Sequence, residues 1–290
     1  MERLRSDDPA RIGDFVTLAR VDADGSRGVP DRRYLARSAD GGRTVLVCLP
    51  PPGGDPVRWA AEAQQAARLT QPGFWPVGQL GGTPAFPWYA APYRPALPLP
   101  AVLAAHGGPL PEALVRTLGG ALAEALASAH VVGVVHGGVC PAGVLVTACG
   151  PLLGCFGATR VQASAGASTA QGAVLDSGCL APEVAAGGPV DRAGDVYALG
   201  AVLAYAATGH TVPEQQEIPA GLRDLITACR SRDPHGRPEP AGVLAELLPG
   251  AAYGSLTGAT EPVSLPGRVV AALSRQSAQL LAAALPTQER

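Results

Sequence analysis

Val134-Val135-His136-Gly137-Gly138-Val139-Cys140-Pro141-Ala142-Gly143-Val144-Leu145-Val146 is the stretch from which the rest of the chain can be read. It carries no charged side chain, and it ends in the short β-prone run Val144-Leu145-Val146. Cys149-Gly150 follows as a hairpin turn, and residues 151–153 return as a second short strand. On the N-terminal side, residues 112–132 predict a long apolar helix. On the other side stand Leu153-Gly154-Cys155-Phe156-Gly157 and then residues 158–178. That last segment is rich in Ala, Gly, Ser and Thr and has neither helical nor strand period, so it reads as a mobile loop.

The composition bounds what such a chain does. It has 290 residues, enough for one large domain or two lobes, and its 47% hydrophobic content is that of a globular protein. It contains no lysine and no asparagine, and its 22 basic residues are all arginine. A net charge of −2 with no basic run argues against nucleic acid or an anionic membrane as partner. No apolar run approaches the roughly 20 residues of a membrane span. The segment Met1-Glu2-Arg3-Leu4-Arg5-Ser6-Asp7-Asp8 has no apolar core, so no signal peptide is expected and the expected location is cytoplasmic. Cys48, Cys140, Cys149, Cys155, Cys179 and Cys229 form no C-x-x-C pair, so reduced thiols are expected rather than a disulfide framework.

The remaining pattern divides the chain in two. Phe15-Val16-Thr17-Leu18 and Val45-Leu46-Val47-Cys48-Leu49 predict strands with Gly/Asp-rich turns between them. Asp55-Pro56 predicts the N-cap and first turn of a helix over 57–69, and residues 74–94 predict further strands. From Leu99 onward the period is helical. Residues 191–208 are apolar almost all round, as a buried central helix requires, and Gly209 is its natural C-cap. Residues 220–230 and 240–248 predict two shorter helices. Residues 251–264 read as a linker, and 265–285 as a terminal helix using Val269, Leu273, Leu280 and Leu281.

His136 through Val146 resembles the H-R-D-L-K-P-x-N loop and following strand of a protein kinase. His136, Pro141 and the strand match; Gly138 stands at the Asp, Cys140 at the Lys and Gly143 at the Asn. Val45-Leu46-Val47-Cys48 resembles the V-A-x-K strand with Cys48 at the Lys, and Glu62 resembles the Glu that pairs with it. Glu62 is therefore expected to be solvated or paired with an Arg. Leu153-Gly154-Cys155-Phe156-Gly157 resembles the D-F-G motif with Cys155 at the Asp, while Phe156 and Gly157 match. Ala181-Pro182-Glu183 is an intact A-P-E motif. Asp195 matches the Asp that ties down the catalytic loop through backbone N–H groups, and Arg237 matches the Arg that pairs with the A-P-E Glu. Asp24-Gly25-Ser26-Arg27-Gly28 keeps only a fragment of the glycine-rich loop.

The resemblance covers about residues 12–248 and is to bacterial Ser/Thr protein kinase domains. It implies an α+β, two-lobed protein kinase-like fold, with a small β-rich N-lobe at 1–95, a mainly helical C-lobe at 96–250, and a linker and helix at 251–290. Apart from Glu62, the matching residues have scaffold roles in that family. The departures fall on residues that touch ATP, metal or the substrate hydroxyl. The resemblance thus implies a catalytically inactive, pseudokinase-type regulatory or scaffolding module, not an enzyme, with no ATP or magnesium bound. Its partner would be a protein, such as an active kinase or a phospho-recognition domain. Thr159, Ser164, Ser168, Thr169 and Ser177 are then the candidate phosphoacceptors. Two alternatives stand beside this reading. One is a nucleotide-binding sensor, through hinge backbone near 91–95, or residual kinase activity by a non-standard mechanism. The other is a metal or redox site built from Cys48, Cys140 and Cys155 in the cleft.

Overall fold

The computed structural model describes residues 2–22, 31–164, 175–250 and 264–282. Its first sheet is antiparallel and six-stranded, built from β1 (Arg11–Ile12), β2 (Phe15–Arg20), β3 (Arg32–Ser38) and β4 (Thr44–Leu49), with β5 (Gln79–Thr83) and β6 (Phe86–Pro92) after the helix α1 (Pro56–Ala66). The order is β1-β2-β3-β4-β6-β5. Side chains alternate across a strand, and β4 uses both faces. Val45, Val47 and Leu49 pack with Phe15, Tyr34 and Trp88, while Leu46 and Cys48 pack on the other face with Trp59, Tyr89 and Ala91. Helix α1 starts where Asp55 accepts hydrogen bonds from the N–H groups of Val57 (2.9 Å) and Arg58 (3.1 Å), with Pro56 in its first turn.

The strand β3 stands where the sequence pattern reads as turn. Three arginines in Arg32-Arg33-Tyr34-Leu35-Ala36-Arg37-Ser38 break the apolar alternation, yet the segment is paired on both sides, and Arg33 is buried while Arg32 and Arg37 are half-buried.

Residues 93–96 connect this sheet to the second lobe. That lobe begins with β7 (Leu97–Pro98), α2 (Leu99–His106) and α3 (Glu112–Val131). The hairpin β8 (Val144–Thr147) and β9 (Gly150–Leu153) joins β7 in a three-stranded sheet. Then come α4 (Ala158–Ser164), α5 (Pro182–Ala185), α6 (Arg192–Thr208), α7 (Ala220–Cys229), α8 (Pro240–Leu247) and α9 (Gly267–Ala282). Helix α6 is the centre: Asp191 caps its start by accepting from the Gly194 N–H at 2.8 Å, and Gly209 ends it in the left-handed region. Its apolar circumference is buried against α3 and α7. No helix among the described residues is long and apolar enough to cross a membrane.

Two local expectations change. Residues 158–164 form α4 instead of a loop, because the tertiary structure supports a segment whose own period does not. Val161 is buried among the residues of the small lobe, and α4 packs against α1. Residues 165–174 lie outside the described residues. In α9, Val269 and Leu273 are buried as the pattern requires, but Leu281 is exposed and the third buried side chain is Gln276. The linker reading at 251–263 also falls outside the described residues.

Candidate functional site

The cleft between the two sheets is organised by strand register. In the β3–β4 pair Arg33 lies opposite Cys48, and in the β4–β6 pair Cys48 lies opposite Tyr89. Directly opposed residues share a face, so a thiol, a guanidinium and a phenol meet at the point where the small lobe faces β8. Cys48 and Tyr89 are fully buried, and burial holds both protonated by pushing their pKa values up. Arg33 is only 4% exposed. Its Nε donates to Asp22 Oδ2 at 2.8 Å, its Nη2 donates to Asp22 Oδ1, and its Nη1 donates across the cleft to the Ala142 carbonyl at 3.1 Å. Burial opposes its charge, but the Asp22 carboxylate outweighs burial and Arg33 stays cationic. Beside it, burial raises the Asp31 carboxyl to about 6, against the hydrogen bond it accepts from Trp59 Nε1 at 2.7 Å.

Glu62 on α1 is buried. It pairs with Arg58 one turn earlier at 3.0 Å and with Arg160 of α4 at 2.7 Å. Of the two environments expected for Glu62, an arginine partner is present and solvent is not. Arg160 also donates to the His136 carbonyl at 3.3 Å and stacks on the Phe156 ring at 5.2 Å. Residue 160 thereby ties α1, the loop at 136 and the turn at 156 together.

The loop that starts at His136 hangs from Asp195 in α6. The Asp195 carboxylate accepts from the backbone N–H of His136 at 2.8 Å and of Gly137 at 2.7 Å, and it contacts His130 Nε2 at 2.9 Å. The same loop is laced to the segment after β9. Gly154 N–H donates to the Gly143 carbonyl, Gly157 N–H to the His136 carbonyl and Thr159 N–H to the Gly137 carbonyl, each at 2.8 Å. This lacing leaves no space at residue 138: a Cβ there would lie 1.9 Å from the Cys155 carbonyl oxygen. At residue 143 a Cβ would lie 3.2 Å from Cys140 Sγ. Cys155 itself sits at φ 64, a left-handed conformation uncommon for a residue with a side chain. Its thiol hydrogen-bonds Cys140, and that bond together with burial keeps Cys155 protonated.

Cys48, Cys140 and Cys155 are all buried in or beside this cleft. Among the described residues, no group of three or more His, Cys, Asp or Glu side chains could hold a metal ion. Ser177 is exposed, Thr159 is half-buried, and Ser164 is the last residue of α4. Ser168 and Thr169, like residues 24–28, lie outside the described residues. Ala181 precedes α5, Pro182 occupies its first turn, and Glu183 meets Arg237 in two parallel hydrogen bonds of 2.6 and 2.8 Å.

His136 is fully buried between Phe74 (5.9 Å, stacked) and Phe156 (5.4 Å, edge-on), and neither ring nitrogen has a hydrogen-bond partner among the described residues. Burial lowers its pKa from 6.5 to about 4. A depressed folded-state pKa means stability that is present above 6.5 and lost as pH falls toward 4. Asp31 has the opposite sign: its folded pKa is raised to about 6 from 3.8, so its contribution grows as pH falls through that interval. The two nearly offset one another. His136→Leu should therefore become more stable between pH 7 and pH 4, and Asp31→Asn less stable, by roughly 3 kcal/mol each relative to the parent. Thermal denaturation across that range measures both slopes; parallel curves for the three proteins would refute the assignment.

Sequence reading missed Arg33, Asp31 and Arg160. Arg33 has a usable signal. The turn Asp40-Gly41-Gly42 lies midway between residues 33 and 48, and a hairpin centred there places Arg33 opposite Cys48. The partners of Asp31 and Arg160 are set only by tertiary packing.

No family model matches the chain. Among curated proteins it is 34% identical over 273 residues to the serine/threonine-protein kinase AfsK of Streptomyces coelicolor, covering 86% of this chain and 33% of that protein. It is 35% identical over 272 residues to the probable serine/threonine-protein kinase PkwA of Thermomonospora curvata, covering 85% and 35%. The chain thus spans about a third of the length of these relatives. Among solved structures, the PknI kinase domain of Mycobacterium tuberculosis superposes with a TM-score of 0.62 at 22% identity, covering 82% of this chain and 97% of that one. Rad53 1-466 in complex with AMP-PNP superposes with a TM-score of 0.61 at 18% identity, covering 80% and 64%. At those identities the superpositions speak for the fold alone.

These findings correct two expectations. The reading of the chain as a non-enzyme does not stand against relatives at 32–35% identity that are named as Ser/Thr kinases. The reading that ATP and magnesium are not bound falls with it, since the relatives are kinases and one structural neighbour carries AMP-PNP. Both expectations rested on counting absent side chains at the family's positions. That count does not register Arg33, which enters the cleft from a neighbouring strand.

Proposed function

Starting from a chain that is a kinase-like domain of the bacterial Ser/Thr protein kinase type, we propose that it binds a purine nucleotide in its interlobe cleft, with Arg33 supplying the positive charge that Cys48 does not. The observation that carries this reading is the buried Arg33 guanidinium, opposite Cys48 and reaching to Ala142. It is a bidentate cation facing the side of the cleft where phosphates would lie. Val21, Leu46, Ala91, Ala96 and Leu145 belong to one apolar cluster next to the connection at 93–96, which suits a purine face. In this arrangement Arg33 exchanges Ala142 or Asp22 for phosphate oxygens, and hinge backbone holds the base edge.

The residues present do not fit magnesium in the family's manner. The positions of its two protein ligands hold Gly143 and Cys155. The carboxylates beside Arg33 are Asp22 and Asp31.

A second reading is favoured by the named activity of the relatives: transfer of a phosphoryl group to a Ser or Thr hydroxyl by a non-standard arrangement of the same cleft. One experiment addresses both. Purified protein is titrated with a fluorescent ATP analogue, with and without magnesium, beside a labelled phosphate-transfer assay against a heat-killed control. Saturable binding is expected, and Arg33→Met should weaken it roughly 10- to 100-fold, the value of hydrogen bonds to a charged group. Arg33→Lys should recover part of the loss, and a thermal melt of each variant checks folding. Failure of the parent protein to bind would end the nucleotide reading; transfer above control would establish the second.

A further inference from the structure

Helix α9 lies where neither a nucleotide nor a phosphoacceptor requires it. Its first turn belongs to the helical lobe: Val269 is fully buried in that lobe's core, and Arg268 reaches the His106 carbonyl at the end of α2. Its last turn belongs to the other lobe: the Leu280 carbonyl accepts from Arg37 of β3 at 3.0 Å. Between them, Gln276 is buried, and its Oε1 accepts from the Ala96 N–H at 2.9 Å. Ala96 stands in the connection between the two sheets. From residue 269 to 280 the helix advances ~16 Å, enough to pass from one lobe across the connection to the other.

The choice of residues matches that path. Positions 269, 273, 276 and 280 fall on one helical stripe, and three of them are apolar. The exception, Gln276, falls where a backbone N–H needs an acceptor, since burying a donor without one costs more than burying apolar surface gains there. At the front of the cleft, the hydrogen bond from Arg33 to Ala142 joins the same two lobes. The molecule is thus fastened on both sides of its connection.

We propose that α9 is an intrachain strap behind the connection at 93–96, that it holds the lobes at their closed angle, and that its release opens the cleft. A partner that takes the apolar stripe of α9 would open the cleft from a distance. The inference concerns lobe opening and stands independently of which nucleotide, if any, enters.

The chain's own thiols report the outcome in the full-length protein. Cys48, Cys140 and Cys155 are buried at the closed cleft, and Cys229 is buried in the helical core beneath α6. Alkylation by iodoacetamide is followed at each cysteine by mass spectrometry. Leu273→Asp detaches the stripe. Gln276→Leu keeps the stripe apolar and removes only the acceptor for Ala96. Both should speed labelling of Cys48 and Cys140 at least tenfold while Cys229 keeps its parent rate. Unchanged rates at the cleft cysteines in both variants would overturn the proposal. If Leu273→Asp accelerates Cys229 equally, that variant has loosened the whole fold, and Gln276→Leu alone decides by the same criterion.

Discussion

Replacing Gly138 by Asp is expected to destabilise the protein by roughly 3 kcal/mol or more and not to increase phosphoryl transfer. The family's base is one substitution away in sequence, but the space for it is gone. A Cβ at 138 meets the Cys155 carbonyl oxygen at 1.9 Å and the Ala158 nitrogen at 3.1 Å, both backbone atoms that no rotamer change can move aside. Separating the strands of that contact would break the lacing of Gly143, His136 and Gly137 to residues 154, 157 and 159. Residue 138 is itself buried, so the new carboxylate would also bear a desolvation cost. A melting temperature lower by on the order of 10 °C is the expected reading. Gly138→Ala separates the terms: it carries the overlap without the charge and should lose most of the same stability. A Gly138→Asp protein as stable as its parent, with increased transfer, would show that the loop at 138 lies elsewhere when the protein works.

Arg237→Ala is expected to cost ~3–5 kcal/mol, the value of breaking a hydrogen-bonded ion pair whose cation is buried. Arg237 is the hub of its corner of the helical lobe. It donates twice to Glu183, once to the Ser231 carbonyl at 2.9 Å and once to the Ala193 carbonyl at 3.0 Å, and it lies over the Tyr197 ring at 5.0 Å. Its removal leaves two carbonyls and a carboxylate to find other partners. Glu183→Gln should cost much less, because its side chain retains solvent access and the amide still accepts one hydrogen bond. The pH dependence follows in sign. The hydrogen bond from Arg237 holds the Glu183 pKa below its ordinary 4.5. That contribution is present above pH 4.5 and is lost as pH falls through the depressed folded value. Denaturant melts of parent and Arg237→Ala should therefore converge on acidification below 4.5 and differ most near neutrality. Equal stability at pH 7 would refute this account of the corner.

The helices of the larger lobe were legible from period and caps. Asp191, Gly209 and the continuous apolar surface between them define α6 without reference to any other segment. The same holds for α1, where Asp55-Pro56 sets the start. These signals are local, since caps and periods act over one or two turns of chain. β3 was not legible, because three arginines break its alternation and Arg33 is buried only through partners outside the strand. Arg33 is neutralised by Asp22 and hydrogen-bonded to the Ala142 carbonyl, more than a hundred positions away in sequence, and no local pattern encodes that contact.

The cleft divides along the same line. The sequence by itself determined which side chains are present at each motif position: Cys48, Gly138, Cys140, Gly143 and Cys155 at one set, Asp195, Glu183 and Arg237 at the other. It determined the division into a β-rich part with one helix and a helical part from Leu99 onward, because hydrophobic period, capping and turn chemistry are properties of contiguous residues; the two-lobed arrangement was implied by the motif resemblance. Only the tertiary structure decided what fills the places of the absent groups. It put the Cys155 carbonyl against Gly138, the Arg33 guanidinium on the Ala142 carbonyl, Arg160 on Glu62 and Gln276 on Ala96. The last three of these contacts join segments about a hundred or more positions apart in the chain. Their pairing follows from shape and from the need to satisfy buried charge and backbone N–H groups, which is known only once the lobes have closed on one another.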